Sequence, residues 1–174
     1  MRIAADVTFV PSIGRRRREG GRMEELTDSD RILVGVDGSA SSIHALRYAA
    51  RMAEAFDAPL EAVTTWYYPA FTEFEFATDW SPQQDAADIL DQAIAEAFAD
   101  DPPELTRHVI AGPPSRTLID LSADSAMLVL GSRGHGGFAG LLLGSVSAAC
   151  AEHAHCPVLI VHERRAVGAS EDTP

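Results

Sequence analysis

Lysine is absent from this chain of 174 residues; all 14 of its basic side chains are arginine. That absence excludes a Walker-type phosphate loop, a Schiff-base enzyme and a lysine-dependent kinase, each of which needs an ammonium group beside the reacting atoms. Positive charge is scarce altogether. The 26 acidic residues leave a net charge of −12, which argues against a nucleic-acid binder, because phosphate contacts on DNA or RNA need a clustered basic surface. Cysteine is nearly missing too: Cys150 and Cys156 are the two present. They make no disulfide framework, so the sequence reads as that of a cytoplasmic protein. No apolar run approaches the roughly 20 residues of a membrane span, and the start lacks the basic-then-apolar layout of a secretory signal. What is present is ordinary for a globular chain, with 46% apolar and 23% charged residues, and the length fits one domain with tails.

The scarce positive charge is unevenly placed. Arg2, Arg15 to Arg18 and Arg22 precede Met23, against two acids, Asp6 and Glu19. From Met23 onward, eight arginines face 24 acids, a net charge of −16. With Gly14, Gly20 and Gly21 and no hydrophobic period, residues 1–30 read as a disordered basic extension. Met23, close before the first apolar run, is an alternative start of translation. Residues 163–174 read as a disordered polar tail.

Between the tails, strand and helix patterns alternate. Residues 31–36 form an apolar run closed by Asp37-Gly38-Ser39, the signature of a buried parallel strand ending in a turn. Ser39 or Ser41 caps a helix in which Ile43, Leu46, Ala50 and Ala53 recur at helical spacing. Leu60 to Trp66 is the second strand. Ser81-Pro82 opens a second helix, with Ala86, Ile89, Leu90, Ala93, Ile94, Ala97 and Phe98 on one stripe. Strands over 105–110, 126–130 and 157–161 follow, with helices from about 116 to 123 and 145 to 153. The pattern predicts an α/β fold: a single, doubly wound, open parallel sheet of five strands, helices on both faces. Ligands of such sheets bind beyond the carboxyl ends of the strands flanking the point where the chain reverses along the sheet.

Two strands have unusual carboxyl ends. The first closes on Asp37-Gly38-Ser39. The fourth runs into a glycine-rich loop, Gly131-Ser132-Arg133-Gly134-His135-Gly136-Gly137, which returns through Gly144-Ser145-Val146-Ser147 into a helix. Gly131 and Gly134 let backbone amides approach an anion, and Ser145 is placed to cap the helix whose positive end faces that anion. Such a nest holds phosphate without lysine. Arg133 and His135 are the nearby side chains able to add positive charge.

The spacing Gly131-x2-Gly134-x9-Gly144-Ser145 resembles the ATP-binding signature of the universal stress protein family. Ile32-Leu-Val-Gly-Val-Asp37-Gly-Ser and His153-Ala-His-Cys-Pro-Val-Leu-Ile-Val161 also look like that family, so the resemblance covers residues 31 to 162. It implies strand order 3-2-1-4-5, a Rossmann-like sheet of the adenine nucleotide alpha hydrolase type, with ATP, accompanied by Mg2+, lying across strands one and four. It places Asp37 on the nucleoside, Gly35 in the pocket wall and the adenine contact on the backbone near Thr65. Gly131, Gly134, Gly144 and Ser145 fall on the phosphate- and ribose-binding positions. Ser132, Arg133, His135 and Gly136 belong to the same loop, and Val146 and Ser147 form the first helical turn, with Ser147 able to reach a phosphate. The resemblance further implies a homodimer through residues 157–161 and a nucleotide-dependent regulatory role in the stress response.

Other constellations read more plainly. Cys150, His153, His155 and Cys156 invite a zinc site, but Cys150 shares a helix face with Val146 and Ala149, which favours packing. Asp85, Asp88 and Asp91 read as the solvated face of the second helix. No nucleophile elbow and no Ser-His-acid set is in evidence, so no catalytic residue is assigned. A slow ATPase or self-phosphorylating protein remains the enzyme alternative, with solitary His135 as its best general base. Residues 67–80 hold six of the chain's 12 aromatics; they read either as a nucleotide lid or partner-docking patch, or as a loop burying its own rings.

Overall fold

The structure, a computed structural model, describes residues 31–67, 81–99, 101–135 and 142–162. Among them, strands and helices alternate: β1 (Ile32–Gly35), α1 (Ala40–Phe56), β2 (Leu60–Trp66), α2 (Pro82–Phe98), β3 (Thr106–Ala111), α3 (Pro114–Ser122), β4 (Met127–Gly131), α4 (Ser145–His153) and β5 (Val158–Val161). All pairings are parallel and the order is β3-β2-β1-β4-β5, as the sequence predicts.

The central strand is buried on both faces, with Ile32, Leu33 and Val34 almost inaccessible. This is why β1 is a continuous apolar run rather than an alternating one. Its side chains divide between two cores. Ile32 and Val34 join Leu46, Leu60, Leu90 and Ile94 under α1 and α2. Leu33 joins Val63, Leu118, Leu128, Leu130 and Cys150 under α3 and α4. Two helices therefore cover each face, and the chain changes face as it passes from β3 through α3 to β4.

Local chemistry fixes the helix starts. Ser39 caps α1 by accepting from the Ser42 amide at 3.3 Å, and Ser81 caps α2 by accepting from the Gln84 amide at 3.3 Å, with Pro82 as the first helical residue. Asp57 ends α1 in the left-handed region at φ +52°, with the Ala58 amide bonding back to the Ala53 carbonyl at 2.9 Å. Strand boundaries shift by a residue or so from the sequence reading. β3, for example, begins at Thr106 and runs to Ala111, because it must pair with Glu61 to Trp66 of β2.

Register creates the feature that positions the site. β1 is paired with β2 only as far as Gly35 opposite Val63, and with β4 as far as Val34 opposite Val129. Its two neighbours continue, β2 to Trp66 and β4 to Gly131. The central strand thus stops first, and a notch opens at the carboxyl edge of the sheet, where the connections diverge.

Candidate functional site

A cavity of about 670 Å³ fills this notch, within the range of small-molecule sites. Its wall includes Gly35, Asp37, Thr65, Gly131, Arg133, Gly134, His135, Gly144, Ser145, Val146 and Ser147. One described residue assigned to the site, Ser132, is not in that wall. Ser132 is buried, its amide bonded to the Val161 carbonyl at 2.8 Å and its carbonyl to the Gly144 amide at 2.8 Å; it closes the base of the loop instead of facing the cavity. Gly136 lies outside the described residues, as does the aromatic segment beyond Tyr67.

The turn after β1 is built around Asp37. Its Oδ1 accepts from the Ser39 amide at 3.0 Å and the Ser39 hydroxyl at 2.6 Å, an Asx turn that leads into α1. The other oxygen faces Gly134, where an added Cβ would collide with Oδ2. One carboxylate therefore shapes the turn and lines the cavity. Gly38 follows in the left-handed region at φ +83°, with Ile89 Cγ2 only 2.9 Å from where a Cβ would stand.

The loop after β4 is stitched to the start of α1. The Ser41 hydroxyl accepts from the Arg133 amide at 3.3 Å and donates to the Arg133 carbonyl. Gly131 permits this approach: a Cβ there would lie 2.7 Å from the Ser41 carbonyl carbon and 2.8 Å from the Ser42 amide nitrogen. The glycine that the sequence offers as a phosphate contact is thus also required by packing.

The start of α4 differs from expectation. Gly144, extended at φ −73° and ψ 162°, is the N-cap, and no side chain caps the helix; Ser145 is its first helical residue. The Gly144 bond to Ser132 holds that residue outside the helix, so the Ser145 hydroxyl sits too far along to act as the cap. Among the described residues, no side chain caps the amides of the first turn, and these border the cavity, the arrangement that attracts anions. Ser147 does not offer its hydroxyl proton to a ligand, because that group donates to the Gly131 carbonyl at 2.6 Å.

Across the notch stands the end of β2. Val63 accepts from the Val36 amide at 2.8 Å, on the β1 side, while Trp66 accepts from the Gly112 amide at 2.8 Å, on the β3 side. Strand alternation therefore turns the Thr65 amide and carbonyl toward β1, which has already ended. A backbone donor and acceptor, side by side, face the cavity.

Sequence reasoning missed residues contributed by α2. Asp85 and Ile89 line the cavity, whereas the pattern assigns Asp85 to solvent and Ile89 to the core. Ile89 is 38% exposed, whereas the adjacent Leu90 is buried. Helical spacing shows which face a residue occupies but not whether that stretch of the face meets the core or a cavity. Of the cysteine cluster, Cys150 is fully buried in the α3–α4 core, and burial pushes its thiol up to about 11, with Cys156 adding to the shift.

The model of the universal stress protein family matches residues 29–162. The chain belongs to this family. Universal stress protein Rv2623 of Mycobacterium tuberculosis is 34% identical over 147 residues, which are 78% of this chain and 48% of that protein. The chain thus spans about half the length of such relatives. Among solved structures, the universal stress protein UspA from Lactobacillus plantarum superposes with a TM-score of 0.64 at 23% identity, covering 78% of this chain and 99% of that one, a likeness of fold. A universal stress protein solved in complex with cAMP superposes with a TM-score of 0.59 at 31% identity, covering 78% and 98% of the two chains.

Proposed function

We propose that this universal stress protein binds ATP or a related adenine nucleotide and acts as a nucleotide-dependent regulator. The observation that carries the reading is the uncapped first turn of α4 beside Asp37 across one cavity, an anion site facing a carboxylate suited to ribose or adenine donors. The Thr65 main-chain pair supplies a donor and an acceptor for the base. Arg133 and His135 are the cations for the phosphates, which are taken with Mg2+. The cAMP complex of a 31%-identical relative supports an adenine nucleotide as the ligand. Binding engages the loop after β4, and the altered surface is read by a partner protein in the cytoplasm, with residues 67–80 as the docking segment.

The protein acts as a homodimer through the edge strand β5, whose Val158, Leu159 and Ile160 are incompletely covered. Relatives of twice the length have room for a second such unit in one chain, which supports pairing. Slow ATP hydrolysis or self-phosphorylation is the alternative at the same site. His135 is its best candidate base among the described wall residues.

Mass spectrometry of small molecules released from the freshly purified protein, followed by calorimetric titration with ATP and Mg2+, tests the reading. Co-purified ATP or ADP, or saturable ATP binding weakened by Asp37→Ala, supports it. An empty protein that ignores adenine nucleotides overturns it. Released ADP accumulating from bound ATP over time favours the enzyme alternative.

A further inference from the structure

The exposed face of α2 is polar with one large exception. Gln83, Gln84, Asp88, Asp91, Gln92 and Glu96 are exposed, as suits a solvated helix face. Ile89 is exposed as well, and it lines the cavity. Pro82, Ala86 and Ile89 stand at i, i+4 and i+7 and all three belong to the wall, so one stripe of the helix borders the cavity. Ala86 carries only a methyl group, which leaves a shallow slot between the larger side chains of Pro82 and Ile89. The stripe is an apolar ledge.

The ledge belongs to the Thr65 end of the cavity. α2 packs on β2 and β3, whereas α4 packs on α3 and β5. Phosphates held at the first turn of α4 therefore leave the end between Thr65 and α2 for the base. The Thr65 main chain meets the edge of a planar ring, and the faces of that ring still need cover. An apolar ledge gives it without competing for the ring's hydrogen bonds. Ile89 is also held in place: a Cβ at Gly38 would stand 2.9 Å from its Cγ2, so the side chain rests against the β1–α1 turn. A β-branched residue on a helix has few rotamers to lose, which makes the surface preformed.

We propose that Ile89 is a specificity-determining residue that packs on the face of the nucleobase, with Pro82 and Ala86 completing the ledge, so that the site prefers purine to pyrimidine nucleotides. The inference rests on the nucleotide reading above and names what selects the base. The two fused rings of a purine cover more of the ledge than the single ring of a pyrimidine, and hydrophobic stabilisation grows with the area covered. Phosphate contacts are common to both nucleotides, so the preference resides in α2.

Calorimetric titration of the full chain with ATP and with CTP separates the base from the phosphates, which the two ligands share. Ile89→Ser removes the apolar surface at an exposed position where serine and isoleucine have similar helix propensity. It is expected to weaken ATP about fivefold and CTP only about twofold, following the apolar area each base covers. Ile89→Leu keeps that area and should restore ATP affinity. A measurement on the wild type needs no variant to fold: saturating ATP should slow amide hydrogen exchange across residues 82–89. Unchanged ATP affinity in Ile89→Ser, or no slowing of exchange in α2, would overturn the inference while leaving nucleotide binding intact. Equal losses for ATP and CTP would overturn it by showing that Ile89 acts on the phosphate end. A wild type that binds no ATP would overturn both readings together.

Discussion

The two ends of the same sheet are built on opposite plans. At the amino end, Arg31 just before β1, Glu61 on β2 and His108 on β3 form a mutually bonded, largely covered network, with the buried His108 Nδ1 left without a hydrogen-bond partner among the described residues. Arg31 bonds Glu61 Oε2 at 2.9 Å and the Ser125 hydroxyl at 3.2 Å, and His108 Nε2 lies 3.0 Å from the same carboxylate oxygen. These side chains are mostly covered, at 24% exposure or less. At the carboxyl end, Asp37 is exposed, α4 is uncapped and the central strand stops short. Polar groups that satisfy one another hold strands together; polar groups left without partners are available to a ligand. The comparison predicts that damage at one end appears in stability and damage at the other in binding.

The largest expected effect is at the open end. Gly134→Glu places a carboxylate against Asp37 and into the anion site, and ATP affinity should fall at least about 100-fold by like-charge repulsion and occupied space. Thermal unfolding should show the fold retained. At the amino end, Glu61→Gln should destabilise the protein by about 1–3 kcal/mol, measured by urea unfolding at pH 7, because it strips the charge that satisfies two half-buried cationic or polar partners. ATP affinity should not change with it.

The same pair has a pH signature. The hydrogen bond from His108, assisted by the charge of Arg31, holds the Glu61 carboxyl below its ordinary value of 4.5. A group with a lowered folded value stabilises the protein fully above its unfolded value, and that stabilisation is lost as pH falls through the folded value. Wild-type stability should therefore drop more steeply than that of Glu61→Gln as pH falls below about 4.5, in urea titrations at successive pH values. Parallel curves would show that the network contributes nothing.

Smaller effects sharpen the contrast. Gly134→Ala should weaken ATP binding several-fold through collision with Asp37, and less so when Asp37 is already Ala; a double-mutant cycle in affinity reads that coupling. Smallest for binding is Cys150→Ala, which should cost about 1 kcal/mol by cavity formation in the α3–α4 core. It should leave nucleotide affinity unchanged; loss of binding would revive a redox or metal role.

Much of this layout was legible in the sequence. β2, α2 and α4 fall on the predicted residues, because β-branched runs, Ser81-Pro82 and the glycine-to-helix transition are local signals. The strand order came through family resemblance rather than from periodicity. Less legible were features set by three-dimensional reach. Ile89 carries the mark of a core residue and stands at the cavity rim, Ser132 carries that of a ligand contact and is sealed beneath the loop, and Ser145 was one position late for a cap. His108, Glu61 and Arg31 are far apart in sequence and become partners only through strand register.

The early end of β1 has one more consequence. The groups it leaves bare on Thr65 belong to the main chain, which every residue type carries. A contact of that kind has no spelling: Thr65→Val would alter the letter and leave the amide and carbonyl where they stand. Drift in the alphabet along this strand end would pass unnoticed by the ligand, whereas lengthening β1 by two residues would silence the contact with every lining side chain unchanged.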